Sequence, residues 1–185
     1  MAHFVDFEKM REKIFILNNV VLSGEAFAIK YRVGIEGVPS LYPKSEYWTM
    51  LKRIVSNSCL ELSVLLRNSK ELRDLKEGKS ESHKIIMCAD FIDHKVGKYD
   101  FMYIANKIIH AKSFLLTPVG SNQYEESFEW WDGLIEVSGT AQNEKDWSLS
   151  FNLSDWLGSI VNFLNHSQLV LSKIQMDSYD IQRSN

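Results

Sequence analysis

Several things are scarce in this chain, and each shortage removes a class of function. Only two cysteines occur, Cys59 and Cys88, in apolar surroundings and without the paired spacing of a zinc site or a C-x-x-C redox motif, so both read as buried thiols. No run of roughly 20 apolar residues is present for a bilayer span, and MAHFVDFEKMREK lacks the basic-then-apolar order of a signal peptide. The chain is therefore expected to stay in the cytoplasm, with no membrane partner. Gly24, Gly34 and Gly37 fit neither G-x-x-x-x-G-K-[ST] nor G-x-G-x-x-G, which argues against a nucleotide cofactor. No G-x-S-x-G elbow or cysteine in a catalytic context supports covalent hydrolysis. Positive charge is not in excess: the formal net charge is -3, so any contact with RNA has to be local. There is no internal repeat, heptad seam or low-complexity tract.

What remains is an ordinary globular composition, 45% hydrophobic and 24% charged, in 185 residues. That length suits a single domain over 1–185. Phe7, Met10, Ile14, Leu17, Val21 and Phe27 predict a long first helix over 6–31, with a bend near Ser23-Gly24. GIEGVPSLYP holds two of the three prolines and reads as a loop. A second long helix is predicted over 45–76, burying Tyr47, Leu51, Ile54, Val55, Cys59, Leu62, Leu65 and Leu66, with Gly78 to end it. Its charged end, KELRDLKEGKSES, reads as solvated surface. A third helix is predicted over Ser82–His94 and a fourth over Tyr99–Lys112.

After residue 113 the period changes. Trp147, Leu149, Phe151 and Leu153 alternate with polar residues, the two-residue period of a half-buried strand. Leu134–Thr140 and Lys112–Val119 read as further strands, and the short GTAQNEKD connection suits a hairpin. Ser154 is a plausible N-cap for a last helix over 155–173 that buries Trp156, Ile160, Phe163 and Leu164, with a fraying end beyond it. The expected fold is mainly α: a bundle of about five helices with an antiparallel β-hairpin or three-stranded sheet inserted at about 113–153, before the last helix (α+β).

The segment YDFMYIANKIIHAK carries the best candidate site. Asn106 and His110 stand four residues apart, so on a helix they share a face, while Met102, Ala105, Ile108 and Ile109 supply an apolar stripe. An imidazole can move a proton near neutral pH and an amide can hold it or a phosphate in place. The competing reading is a core histidine that fixes helix packing.

A-N-K-I-I-H-A, late in a helical region after two long helices, resembles the end of the motif of HEPN domains: an arginine, a polar residue, then a histidine a few residues on. The resemblance implies metal-independent RNA cleavage in active members, with a dimer bringing two motifs together over the scissile phosphate. It places Asn106 at the polar position and His110 at the histidine. The arginine would fall near Ala105, which carries no charge; Lys107 lies about 100° round the helix from Asn106 and offers a point charge in place of a bidentate fork.

Other clusters are less complete. Asp90 and His94 of D-x-x-D-H have helical spacing, yet two ligands do not make a metal site, so no metal is expected. His83 and His166 read as surface residues. Phe128, Trp130, Trp131 and Trp147 read mainly as the sheet's packing face, or as an interface with RNA or protein. Three functional readings follow. The first is a HEPN-like RNA- or protein-binding regulatory module of a defence or toxin–antitoxin type, non-catalytic or weakly active, as a homodimer or with a protein partner. The second is a metal-independent ribonuclease using His110, Asn106 and Lys107 without a cofactor. The third is a scaffold whose exposed aromatics, near Trp130 and Trp131, bind another protein.

Overall fold

The computed structural model describes residues 6–33, 42–68, 86–90, 95–121, 128–141 and 145–183. Helix α1 (Phe7–Tyr31) begins where the Asp6 carboxylate accepts the Lys9 backbone N–H at 2.9 Å. It ends at Arg32, whose left-handed backbone (φ 52°) turns its N–H back onto the last carbonyls. Met10, Ile14, Leu17 and Ala28 are buried, with Phe7, Val21 and Phe27 packed beside them. Among the described residues α1 is long and apolar enough to cross a membrane by length and composition, contrary to the expectation that no segment is. Here its inner face lies against the sheet and the other helices.

Helix α2 (Lys44–Asn68) packs along α1 and runs the opposite way: Glu61, near its end, pairs with Lys13 at 2.8 Å, while Tyr47, near its start, stacks on Phe27. Tyr47, Leu51, Val55, Cys59, Leu62 and Leu66 are buried as the pattern predicted, whereas Ile54 is 43% exposed. The predicted continuation to residue 76, the charged stretch and most of the proline loop lie outside the described residues.

The predicted third helix is not formed. Strand β1 (Ile86–Asp90) and strand β2 (Lys95–Tyr99) pair antiparallel from Ile86↔Tyr99 to Asp90↔Lys95, and Ala89 joins the pair to the rest of the sheet opposite Ser150. Ile-Met-Cys-Ala is too short an apolar run for periodicity to separate a strand from a helix, and the pairing partners decide it. Among the described residues three helices thus precede residue 113 rather than four, and four helices are formed rather than five.

Helix α3 (Phe101–Ile109) is capped by the Asp100 carboxylate, which accepts the Met102 N–H at 2.7 Å. Its buried face is Phe101, Ile104, Ala105 and Ile108, not the Met102 and Ile109 stripe read from the sequence, and it packs on α2. Strands β3 (Ser113–Ser121), β4 (Phe128–Thr140) and β5 (Asp146–Asn152) form the expected antiparallel three-stranded unit, which β1 and β2 widen to five in the order β2-β1-β5-β4-β3. The β3 edge is irregular: its register with β4 shifts between Leu116 and Pro118.

Trp131, Gly133, Ile135, Val137 and Gly139 of β4, and Trp147, Leu149 and Phe151 of β5, are buried against the helices, and alternate residues of β4 face outward. Gly24 lets α1 approach this face: a Cβ there would lie 2.7 Å from the Trp131 carbonyl oxygen. The final helix, α4 (Leu153–Arg183), starts two residues earlier than expected, because Asn152 Oδ1 rather than Ser154 accepts an N–H, that of Ser154 at 2.9 Å. It remains helical to Arg183, past the predicted end at 173. Trp156, Ile160, Phe163 and Leu164 are buried as predicted, and Trp156 Nε1 donates to the Phe101 carbonyl at 3.0 Å. The architecture is the mainly helical α+β one read from the sequence.

Candidate functional site

Helix α3 and the end of the β4–β5 hairpin enclose a cleft of about 370 Å³, and the last turn of α2 stands beside its His110. Tyr103, Asn106, Lys107 and His110 line it from α3, Thr140 and Ala141 from the end of β4, and Trp147 from β5. His110 is the C-cap of α3, its N–H bonded to the Asn106 carbonyl at 3.2 Å. Asn106 and His110 are both exposed, so His110 faces the cleft and is not a core histidine.

Across the mouth stands Arg67, in the last turn of α2, its Nη1 3.5 Å from His110 Nε2. The contact is long, and because a guanidinium only donates, it is a hydrogen bond only with the tautomer whose Nε2 carries no proton. Among the described residues no carboxylate lies within ion-pair distance of Arg67. Cations at helix C-termini also complement the negative end of the helix dipole, which accounts for some of this placement. It does not account for a guanidinium directed at an imidazole.

The floor is aromatic. Trp147 lies flat across Gly139, where a Cβ would come 2.6 Å from Trp147 Cζ2 and 2.9 Å from the His110 carbonyl oxygen. Lys107 Nζ sits 4.1 Å from the centre of the Trp147 ring and 5.5 Å from that of Tyr103. Tyr103 in turn stacks on Tyr99, with centroids 4.8 Å apart. At the rim Lys112 Nζ donates to Thr140 Oγ1, which donates to Asp146 Oδ1, each at 2.9 Å, so one carboxylate tempers the positive charge on that side.

No family model, curated protein or solved structure matches this chain. The assignment therefore rests on the geometry. The structure brings together all three residues singled out for catalysis, His110, Asn106 and Lys107, in one cleft. It adds Arg67, which the sequence reading passed over because nothing in the sequence links it to His110, 43 residues further on.

The remaining candidates fall away from the site. Asp90 ends a strand, so its helical spacing to His94 does not exist; His83, Asp93 and His94 lie outside the described residues, and His166 is exposed on α4. Among the described residues no three His, Cys, Asp or Glu side chains converge as metal ligands. Burial pushes the Cys59 thiol far up, which leaves no thiolate to act as nucleophile. Trp131 is 1% exposed and Trp130 half-buried, so of the two rings that the scaffold reading names only Trp130 reaches the surface.

Proposed function

We propose that the protein binds RNA through this cleft, Arg67 and His110 holding a backbone phosphate, and that it works as an RNA-binding regulatory module. The observation that carries this reading is the Arg67 guanidinium beside His110 at the mouth of a cleft floored by aromatic rings and Lys107. A phosphate beside the pair would part the two side chains, accepting from the guanidinium and from an imidazole N–H, and charge-assisted hydrogen bonds are the stronger kind. The HEPN resemblance contributes the regulatory, defence-type setting.

The same contact favours a second reading, metal-independent RNA cleavage. The basic group missing at Ala105 is offered by Arg67 from the neighbouring helix, where it could stabilise charge developing on the phosphate while His110 moves a proton. Asn106, on the same edge, would orient the bound strand.

Fluorescence anisotropy with a labelled RNA oligomer tests the first reading. Arg67→Ala is expected to weaken binding about tenfold or more, the worth of a hydrogen bond to a charged group. It should also lower the salt slope by roughly 0.7, one phosphate contact on a single strand. Unchanged affinity and slope in a folded Arg67→Ala protein would remove the proposal. RNA degradation in EDTA separates the readings: cleavage by wild type and not by His110→Ala establishes a ribonuclease, and no cleavage by either leaves the binding module.

A further inference from the structure

The indole of Trp147 has one face against Gly139 and the other beneath the Lys107 ammonium, 4.1 Å from the ring centre. Trp147 is only 8% exposed, so nothing can stack on it while Lys107 stays in place. Yet it lines the cleft together with Tyr103 and His110, and Arg67 stands close by.

We infer that Trp147 is a base-stacking platform covered in the free protein by Lys107, and that the cleft takes an unpaired nucleobase together with its phosphate. This rests on the phosphate reading above and names its substrate class, single-stranded RNA. An incoming phosphate offers the Lys107 ammonium a full negative charge. Lys107 has a flexible four-carbon stem and can follow the phosphate outward. The uncovered indole face then accepts a base, a contact open to every base because each has a π-face. A cleft of about 370 Å³ lies at the lower end of ligand-sized pockets and suits one nucleotide rather than a helix. A duplex keeps its bases stacked and presents only its backbone.

The test compares two oligomers of equal length and charge on the wild-type protein, a single-stranded RNA and the same chain with its bases removed, followed by anisotropy and tryptophan fluorescence. The base-bearing strand is expected to bind about five- to 150-fold more tightly, the range for one stacked base. It should change tryptophan emission, and the change should be absent in Trp147→Phe. In Lys107→Met, which removes the ammonium and keeps the stem, the preference for the base-bearing strand should widen and the salt slope should fall. Equal binding of the two oligomers, both still weakened by Arg67→Ala, would overturn the stacking inference while leaving the phosphate reading in place. Loss of Arg67-dependent binding to both would overturn the phosphate reading and this inference with it. A base preference that Lys107→Met leaves unchanged would overturn the covering role.

Discussion

At the scale of single residues, the described part of the protein buries polar groups with partners and, at Ser63, one without. Trp131 Nε1 donates to the Leu134 carbonyl at 2.7 Å, Trp156 Nε1 to Phe101, and Ser167 Oγ to the Phe163 carbonyl at 2.8 Å. Ser63 is the exception, its hydroxyl fully buried in α2 without a hydrogen-bond partner. A buried hydroxyl left unpaired costs about 1–3 kcal/mol against one in water. Ser63→Ala is therefore expected to stabilise the protein by about 1 kcal/mol, raising the midpoint of thermal unfolding by roughly 2–4 °C for a chain of this size. A lowered midpoint would mean that packing around the hydroxyl outweighs its desolvation. Arg67 shows the opposite economy: a charged group kept at the surface, close to the one ring that can share an anion with it.

At the scale of elements, the cleft depends on β4 and β5 meeting α3 closely, and Gly139 sets that distance. Gly139→Ala would place a methyl group within 2.6 Å of the Trp147 ring and 2.9 Å of the His110 carbonyl, so both must shift. Overpacking of this kind costs about 1–3 kcal/mol. The expected result is a lower unfolding midpoint together with weakened RNA binding, read by circular dichroism and anisotropy; intact binding would show that the cleft does not need this spacing. Neither Gly139 nor Arg67 stood out in the sequence, since their importance lies in what other elements bring beside them. Elements long enough to repeat their pattern were legible: α1, α2, the alternation of β5 and the buried face of α4. Ile86–Asp90 was not, because five residues hold too little period and the deciding contact, Ala89 opposite Ser150, is remote in sequence. In the candidate site, the i, i+4 spacing found Asn106 and His110, while Arg67 came from another helix, brought beside His110 only by the fold.

At the scale of the whole molecule, α1 is joined to α2 by the Lys13–Glu61 pair, which lowers the Glu61 carboxyl and raises the Lys13 amine through their hydrogen bond. Glu61 then adds stability that is present above its ordinary value of 4.5 and is lost as pH falls through the lowered one. Lys13 adds stability that is present below 10.5 and is lost as pH rises through its raised value. Glu61→Gln should accordingly lower the urea midpoint at pH 7, and the difference from wild type should narrow progressively as pH falls below 4.5; a gap that acid leaves unchanged would assign the effect to something other than charge. The effect will be small, as both groups lie near solvent. The sheet they help to anchor ends on β3, an outer strand with Leu115 half exposed and its ladder broken between Leu116 and Pro118. An open strand of that kind invites a second chain to add itself by backbone pairing, the first step toward fibres. Pro118 has no N–H to offer, and the register shift bends the row of donors and acceptors out of line. The irregularity thus acts as a guard against self-association, letting the sheet stop at five strands in a crowded solution.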